Sequence, residues 1–308
     1  MTARRRAEAL LLAATVIWGS TFVLTKGILV ESTPLIYTSI RFLLASLIVG
    51  IIFRKRIVTL GRAAMYPGLI LGNLLFMGFA LQTIGLESTT ASKSAFFTGM
   101  LVVFTPLFHY SAQQWLSLPR KALLGGNLVG VLLSAAGIYL LTSPEGGGFN
   151  VGDGQTLIAA ALFAAYIVYL DTVDRNVDRM QMTFVTFLTC GVVGGVASVL
   201  GEDISVRMGP GFFLPLAYLT VFATVVSLGV QNRFQGDTTP TRAAVIFSLE
   251  PVIAAVFAYV VLSEELGPAG VAGAAAIFCG LILSELSENI PLLRKPVIGE
   301  RTAGRPER

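Results

Sequence analysis

A chain of helices that crosses a membrane many times is the fold class this sequence of 308 residues predicts, and three observations predict it. Hydrophobic residues make up 54% and charged residues 13%, against about 45–50% and about 25% in water-soluble domains. The apolar residues gather in runs of about 20, the length a helix needs to cross a hydrocarbon core of ~30 Å. The cations sit mostly in the short segments between those runs, as membrane topology requires. Unpaired backbone cannot face lipid, so each run is expected to be helix, giving an all-α polytopic membrane protein.

Ten spans are expected, at about 9–30, 34–53, 66–86, 92–115, 121–142, 155–173, 180–201, 211–234, 241–262 and 268–288. Met1–Arg6 with the run after it resembles a signal peptide. The apolar stretch Ala9–Val30 is longer than an h-region of about 7–15 residues and lacks a small-residue cleavage pattern, so it counts as the first span. Pro34, Pro119 and Pro268 open spans, where a missing N–H costs little. Gly146–Gly148, with Gly152 and Gly154, mark a flexible central connection. The expected division is a first five-helix repeat over residues 1–145, a glycine-rich linker over 146–154, a second repeat over 155–290, and a basic, flexible tail over 291–308.

Orientation follows from Lys and Arg. With the N-terminus inside, 18 of the 22 cations fall on the cytoplasmic side; only Lys93 and Arg207 fall outside, and Lys26 and Arg41 lie within spans. Both termini are therefore expected in the cytoplasm. The net charge of +4 is loop charge of this kind, and no folded soluble module supports a nucleic-acid partner.

An internal repeat orders the chain. Ser88-Thr89-Thr90-Ala91-Ser92-Lys93 and Asp237-Thr238-Thr239-Pro240-Thr241-Arg242 are small polar turns, each carrying one cation and opening an apolar run with a proline inside it, Pro106 and Pro251. The turns are offset by 149 residues and the prolines by 145; Trp18-Gly19-Ser20-Thr21 aligns with Phe163-Ala164-Ala165-Tyr166 at 145. Gly130 and Gly137 echo Gly273 and Gly280. Five spans per half is an odd number, so the second copy is inverted relative to the first. Inverted repeats are the mark of alternating-access transporters, with the substrate near the midplane between the halves; a purely structural duplication is the competing reading.

Ile17-Trp18-Gly19-Ser20-Thr21-Phe22-Val23 with Lys26, then Arg41-Phe42-Leu43-Leu44-Ala45, resemble the first two helices of the drug/metabolite transporter superfamily, EamA type. Glu250-Pro251-Val252, Glu264-Glu265-Leu266 and the glycine-spaced last helix are similar to the end of its second repeat, so the resemblance runs over nearly all of residues 8–288. It implies ten helices as two inverted five-helix repeats and export of small metabolites, amino acids (aromatic ones among them) being one class. Gln113-Gln114-Trp115-Leu116-Ser117 lacks the acid that would match the second repeat, which argues against a mechanism needing two matched carboxylates.

Charges inside spans narrow the site, since each costs about 2.5–3.5 kcal/mol at a helix centre on insertion scales. Glu250 lies near mid-membrane, either as a proton-sensitive group or counter-charge for a substrate ammonium, or as a partner of Arg41 or of another helix's donor that fixes packing. Arg41 is expected to hold structure by reaching a carboxylate or carbonyl, and Lys26 to snorkel to water with a gating role open. His109, the lone histidine, is expected to be packed, and Cys190 and Cys279 to be small core residues. Substrate-lining candidates are Thr15, Trp18, Thr21, Asn73, Met77, Gln82, Phe97, Thr98, Tyr166, Tyr169, Asn232, Phe247 and Glu250. A polar side chain in hydrocarbon must face protein or water, although interhelical glue is the alternative for each. Lys93, Arg242, Pro106 and Pro251 are gate or hinge candidates.

An enzyme is not expected. No Gly-rich phosphate loop, metal-ligand spacing or clustered acid pair is present, so neither a metal nor any other cofactor is expected. The reading is a bacterial inner-membrane exporter of amino acids or similar metabolites, facilitated or weakly coupled, its partners a small-molecule substrate and the lipid bilayer. A monomer is expected, with the oligomeric state open. A nucleotide-sugar or drug transporter on the same fold, or a non-transporting membrane scaffold, are the alternatives.

Overall fold

The computed structural model describes residues 2–115, 123–141, 149–262, 267–286 and 296–298. Eight of its helices are long and apolar enough to cross a membrane, by length and composition. They are α1 (Ala3–Ile28), α2 (Pro34–Ile52), α3 (Arg62–Ser88), α4 (Ala91–Gly99 and Leu101–Trp115), α6 (Val151–Thr172), α7 (Arg179–Gly201), α8 (Pro210–Asp237) and α9 (Pro240–Phe247 and Glu250–Leu262). Two apolar helices have shorter described stretches, α5 (Gly125–Leu141) and α10 (Pro268–Leu286). The one sheet among the described residues pairs Leu123–Leu124 antiparallel with Pro296–Ile298. The chain is a multi-pass membrane protein whose outward faces carry large apolar side chains such as Leu47, Ile51, Val199 and Leu214.

Side-chain caps start several helices. Thr2 accepts from the Arg5 amide, so α1 begins at Ala3, six residues before the apolar run. Asn150 and Asp153 form a reciprocal capping box, which starts α6 at Val151. Gly152 and Gly154 therefore belong to a helix and not to the expected flexible connection; Gly146–Gly148 lie outside the described residues, as do Pro119, Glu264, Glu265 and most of the basic tail. Thr90 and Thr239 cap α4 and α9 through the amides of Lys93 and Arg242.

Helices pack in a reciprocal way. α2 lies against α7, α5 against α10, α3 against α6, α1 against α8, and α4 against α9. A close approach joins α5 and α10, where a glycine on each helix faces the backbone of the other. A Cβ on Gly137 would lie 2.6 Å from the Gly273 carbonyl oxygen, and one on Gly280 would lie 2.7 Å from that of Gly130. Small residues admit such contact between membrane helices. These are the glycines whose spacing repeats in the sequence, and they meet crosswise.

Three helices are interrupted near the centre. α1 breaks at Ser20 and α4 at Met100, and α9 breaks at Ser248 and Leu249. α8 widens into a π-helix over Leu219–Val226. There Thr224 donates to the Leu219 carbonyl five residues back, as Ser227 does to Phe222. π-turns concentrate at functional sites, and this one turns Thr224 and the Ala223 carbonyl toward α1 and α2.

Candidate functional site

The interruptions surround one partly open cavity, whose space of about 570 Å³ includes the solvent at its mouth. Trp18 and Thr21 come from α1, Arg41 from α2, Leu75, Phe79 and Gln82 from α3, and Thr98 and Leu101 from α4. The second half adds Phe163, Tyr166 and Ile167 from α6, Leu228 and Gln231 from α8, and Phe247 and Glu250 from α9. The lining falls into pairs. Trp18 and Phe163, and Thr21 and Tyr166, are 145 residues apart; Phe79 and Leu228, Gln82 and Gln231, Thr98 and Phe247, and Leu101 and Glu250 are 149 apart.

Aromatic rings form the wall. Trp18 meets Phe247 edge-on at 5.3 Å, and Phe79 meets Phe163 likewise at 5.3 Å. Trp18 is held by its indole N–H, which donates to the Ala223 carbonyl at 2.9 Å. Most polar lining groups find partners within the protein. Gln82 donates to Thr98 at 2.8 Å, Gln231 to Gln235 at 2.9 Å, Thr21 to the Trp18 carbonyl at 2.8 Å, and Tyr166 to Asn232.

Arg41 is buried, and hydroxyls fix it where a carboxylate or carbonyl was expected. Nε donates to Thr224 at 2.7 Å and Nη1 to Tyr37 at 3.1 Å, with the guanidinium 5.0 Å from the Phe79 ring centre. Nη2 makes no hydrogen bond to a described residue. Glu250 is buried as well, and no hydrogen bond or ion pair joins its carboxylate to Arg41 or to another described residue. Its other expected role, as a packing ion pair with Arg41, is therefore not the arrangement found.

Each end of the bundle carries a buried ion-paired cluster. At the end holding the N-terminus, Glu8 on α1 accepts from Arg242 at 3.0 Å and from Thr238 at 2.9 Å, with Arg4 3.7 Å away. At the opposite end, Asp153 on α6 accepts from Thr89 and pairs with Lys93 at 3.8 Å. The second cluster repeats the first: Thr89 and Thr238, and Lys93 and Arg242, are 149 residues apart, and Glu8 and Asp153 are 145 apart. Lys26 stands beside the Asp153 cluster. It donates to the carbonyls of Leu86, Glu87 and Thr89, so it caps the end of α3 and does not simply extend to water.

Of the residues singled out in the sequence, Trp18, Thr21, Gln82, Thr98, Tyr166, Phe247 and Glu250 gather at the cavity. Asn232 stands one layer behind, holding Tyr166 and donating to Thr183 at 3.1 Å. Thr15 is buried against its own helix, donating to the Leu11 carbonyl. Tyr169 and Phe97 lie off the cavity, Phe97 with its ring against Phe96 and Phe149. Asn73 and Met77 are not among the residues lining the cavity, and both are exposed on α3. The Asn73 amide is satisfied by the Leu69 carbonyl at 2.9 Å, so an amide on that face does not need a water-filled path. Sequence reasoning missed Phe79, Phe163, Leu101, Leu228, Glu8 and Asp153 as site residues. The offsets of 145 and 149 residues, applied to Trp18, Gln82 and Arg242, were the signal that could have pointed to some of them. Among the described residues no three His, Cys, Asp or Glu side chains gather to hold a metal ion.

Comparison with known proteins agrees with this architecture. The model of the EamA-like transporter family matches residues 5–143 and again residues 150–286. An uncharacterized transporter of Archaeoglobus fulgidus is 30% identical over 270 residues, covering 88% of this chain and 82% of its own. A probable amino-acid metabolite efflux pump of Escherichia coli is 25% identical over 305 residues, covering 91% of this chain and 95% of its own. One solved crystal structure superposes with a TM-score of 0.75 over 94% of this chain and 98% of its own, at 19% identity, and so shares the fold.

Proposed function

Because the chain belongs to the EamA-like transporter family, we propose that it exports amino acids or similar small amphipathic metabolites across a bacterial inner membrane by alternating access. The observation that carries this reading is the paired lining of the central cavity, to which both halves contribute at matched positions. In this reading α5 and α10 also cross the membrane, making ten spans in two inverted repeats with both termini in the cytoplasm. The reciprocal packing of α2 with α7, α5 with α10 and α4 with α9 supports a pseudo-two-fold relation, since each helix then meets its own counterpart.

The two ion-paired clusters supply the gates. The Glu8–Arg242–Thr238 cluster joins α1 to the start of α9 at the cytoplasmic end, and the Asp153–Lys93–Thr89 cluster joins α6 to the start of α4 at the periplasmic end. α4 and α9 are broken at Met100 and at Ser248–Leu249, so their outer segments can swing while the remainder stays packed. Opening one cluster while the other holds exposes the cavity to one side at a time.

Counterflow in proteoliposomes tests the reading. The reconstituted protein should exchange apolar or aromatic amino acids, and Thr98→Trp, which fills the cavity, should abolish exchange while the protein stays monodisperse. Exchange of nucleotide sugars or drugs with amino acids inert would move the substrate class. Undiminished exchange by the Thr98→Trp variant would move the pathway out of this cavity, and no exchange of any compound by the wild-type protein would favour a scaffold and overturn transport.

A further inference from the structure

The cavity holds two side chains of opposite formal charge, contributed by opposite halves, and they are not paired with each other. We propose that the cavity is built for a zwitterion, with Arg41 receiving the carboxylate and Glu250 the ammonium of an α-amino acid whose side chain lies against Trp18, Phe79, Phe163 and Phe247. This inference rests on the reading of the protein as an amino-acid exporter and assigns the recognition chemistry of the same site.

Three observations carry it. The first is the state of the polar lining. Trp18, Thr21, Gln82, Tyr166 and Gln231 all donate hydrogen bonds to protein partners. Of the charged lining groups, Nη2 of Arg41 and the carboxylate of Glu250 have no hydrogen-bond or ionic partner among the described residues. Charged groups away from water are costly unless paired, so a charge kept there without an ionic partner in the protein fits a partner that comes and goes.

The second is how Arg41 is held. Tyr37 and Thr224 take Nη1 and Nε, and Phe79 lies 5.0 Å from the guanidinium carbon. These partners orient the group without neutralising it. The π-helical turn brings Thr224 into place, donating its own hydroxyl proton to Leu219 so that its oxygen accepts from Arg41. A planar guanidinium held at Nε and Nη1 leaves the N–H groups of Nη2 as donors to a carboxylate.

The third is the mismatch between the halves. At the position matching Glu250, where the broken helix resumes in the first half, the cavity is lined by Leu101. The same local structure is thus made with an apolar side chain, so the fold does not require an acid there. Two opposite charges on separate walls suit a ligand that carries both charges itself, and the rest of the wall is mostly apolar.

The test uses the full-length protein in proteoliposomes, with L-phenylalanine counterflow challenged by phenylalaninamide, which lacks the carboxylate, and by 3-phenylpropionate, which lacks the ammonium. Wild type should be inhibited at least about tenfold more weakly by either analogue than by phenylalanine. A tenfold difference corresponds to about 1.4 kcal/mol. Arg41→Gln should erase the discrimination against the amide and leave that against 3-phenylpropionate. Glu250→Gln should do the reverse. Quenching of Trp18 emission by the three compounds, in detergent and with Trp115→Phe in the background, reads the same discrimination where a variant binds but does not transport. If Arg41→Gln fails to fold, Glu250→Gln and the wild-type panel decide alone. Equal competition by all three compounds on wild type overturns the zwitterion site while leaving the exporter standing. Failure of every amino acid to exchange sinks the amino-acid reading itself.

Discussion

The two ends of the molecule are built to one plan and finished differently. At the N-terminal end, Arg242 reaches the Glu8 oxygen at 3.0 Å, and its side chain is 3% exposed. Thr238 donates to the same oxygen, and residues 241–250 around it are all buried. At the other end Lys93 stands 3.8 Å from Asp153 and its side chain is 23% exposed. Asp153 also belongs to the cap of its own helix with Asn150, whereas the shortest contacts to Glu8 come from Arg242 on α9 and from Thr238 just before it. Strength therefore divides unequally. The Glu8 cluster depends on contacts between helices, while Asp153 stays in place when Lys93 leaves. In the proposed alternating-access reading, such ends favour closure at the N-terminal side and make the opposite end the readier to open.

The largest expected effect breaks that inequality at its strong side. Arg242→Gln strands a buried carboxylate with less compensation, and removing one partner of a buried pair costs about 3–5 kcal/mol. Melting in detergent should show a large drop, and Glu8→Gln with Arg242→Gln should recover part of it, since the pair couples. If Arg242→Gln is no more damaging than Lys93→Gln, the two ends are not unequal. Next come substitutions that should treat the halves alike. Gly137→Ala and Gly280→Ala each force a methyl to within 2.6 and 2.7 Å of a facing carbonyl oxygen. Overpacking of this kind costs about 1–3 kcal/mol, and the two variants should melt together. A clear separation between them would show that the α5–α10 contact is not reciprocal.

The same comparison shows what the sequence could tell. The cationic halves of both clusters were legible, because Lys93 and Arg242 open helices at matched places in a repeat. Their acids were not. Hydropathy set the first span to begin after Glu8 and the sixth after Asp153, since a charge marks the end of an apolar run. In the structure caps at Thr2 and Asn150 carry each helix past that charge, and a cation from another helix makes it tolerable inside. Tertiary pairing overrode the local signal. Trp18, Thr21, Gln82 and Glu250 were legible as site residues because polar or amphipathic groups deep in spans need a reason. Phe79 and Leu228 were not, for an apolar side chain facing a cavity looks in sequence like one facing lipid. Asn73 shows the converse case, an amide satisfied by its own helix.

Smaller effects belong to the weaker end. Lys93→Gln removes a longer, partly solvated pair, and such pairs contribute about 0.2–1 kcal/mol. Its expected mark is on access. In a protein freed of Cys190 and Cys279, a cysteine at Leu228 should react faster with a membrane-impermeant thiol reagent added on the Lys93 side, with melting almost unchanged. Faster labelling from the N-terminal side instead would place the gate at the wrong end.

The smallest expected effect concerns the prolines. Pro106 and Pro251 match at 145 residues, yet the structure gives them different work. Pro251 is the second residue of the helical segment starting at Glu250, where a missing N–H leaves no bond unmade. Pro106 lies inside the segment Leu101–Trp115, where proline removes a backbone hydrogen bond. The breaks fall elsewhere, at Met100 and at Leu249, which are 149 residues apart and so follow the offset of the two clusters. The helix interruptions thus lie between the cation-bearing segments and the prolines, and not at the prolines themselves. Pro251→Ala should leave melting within about 0.5 kcal/mol and counterflow close to wild type, whereas Pro106→Ala restores a donor in the helix interior and should slow exchange. Equal slowing by both substitutions would return the hinge to the prolines and make the two halves alike in this respect too.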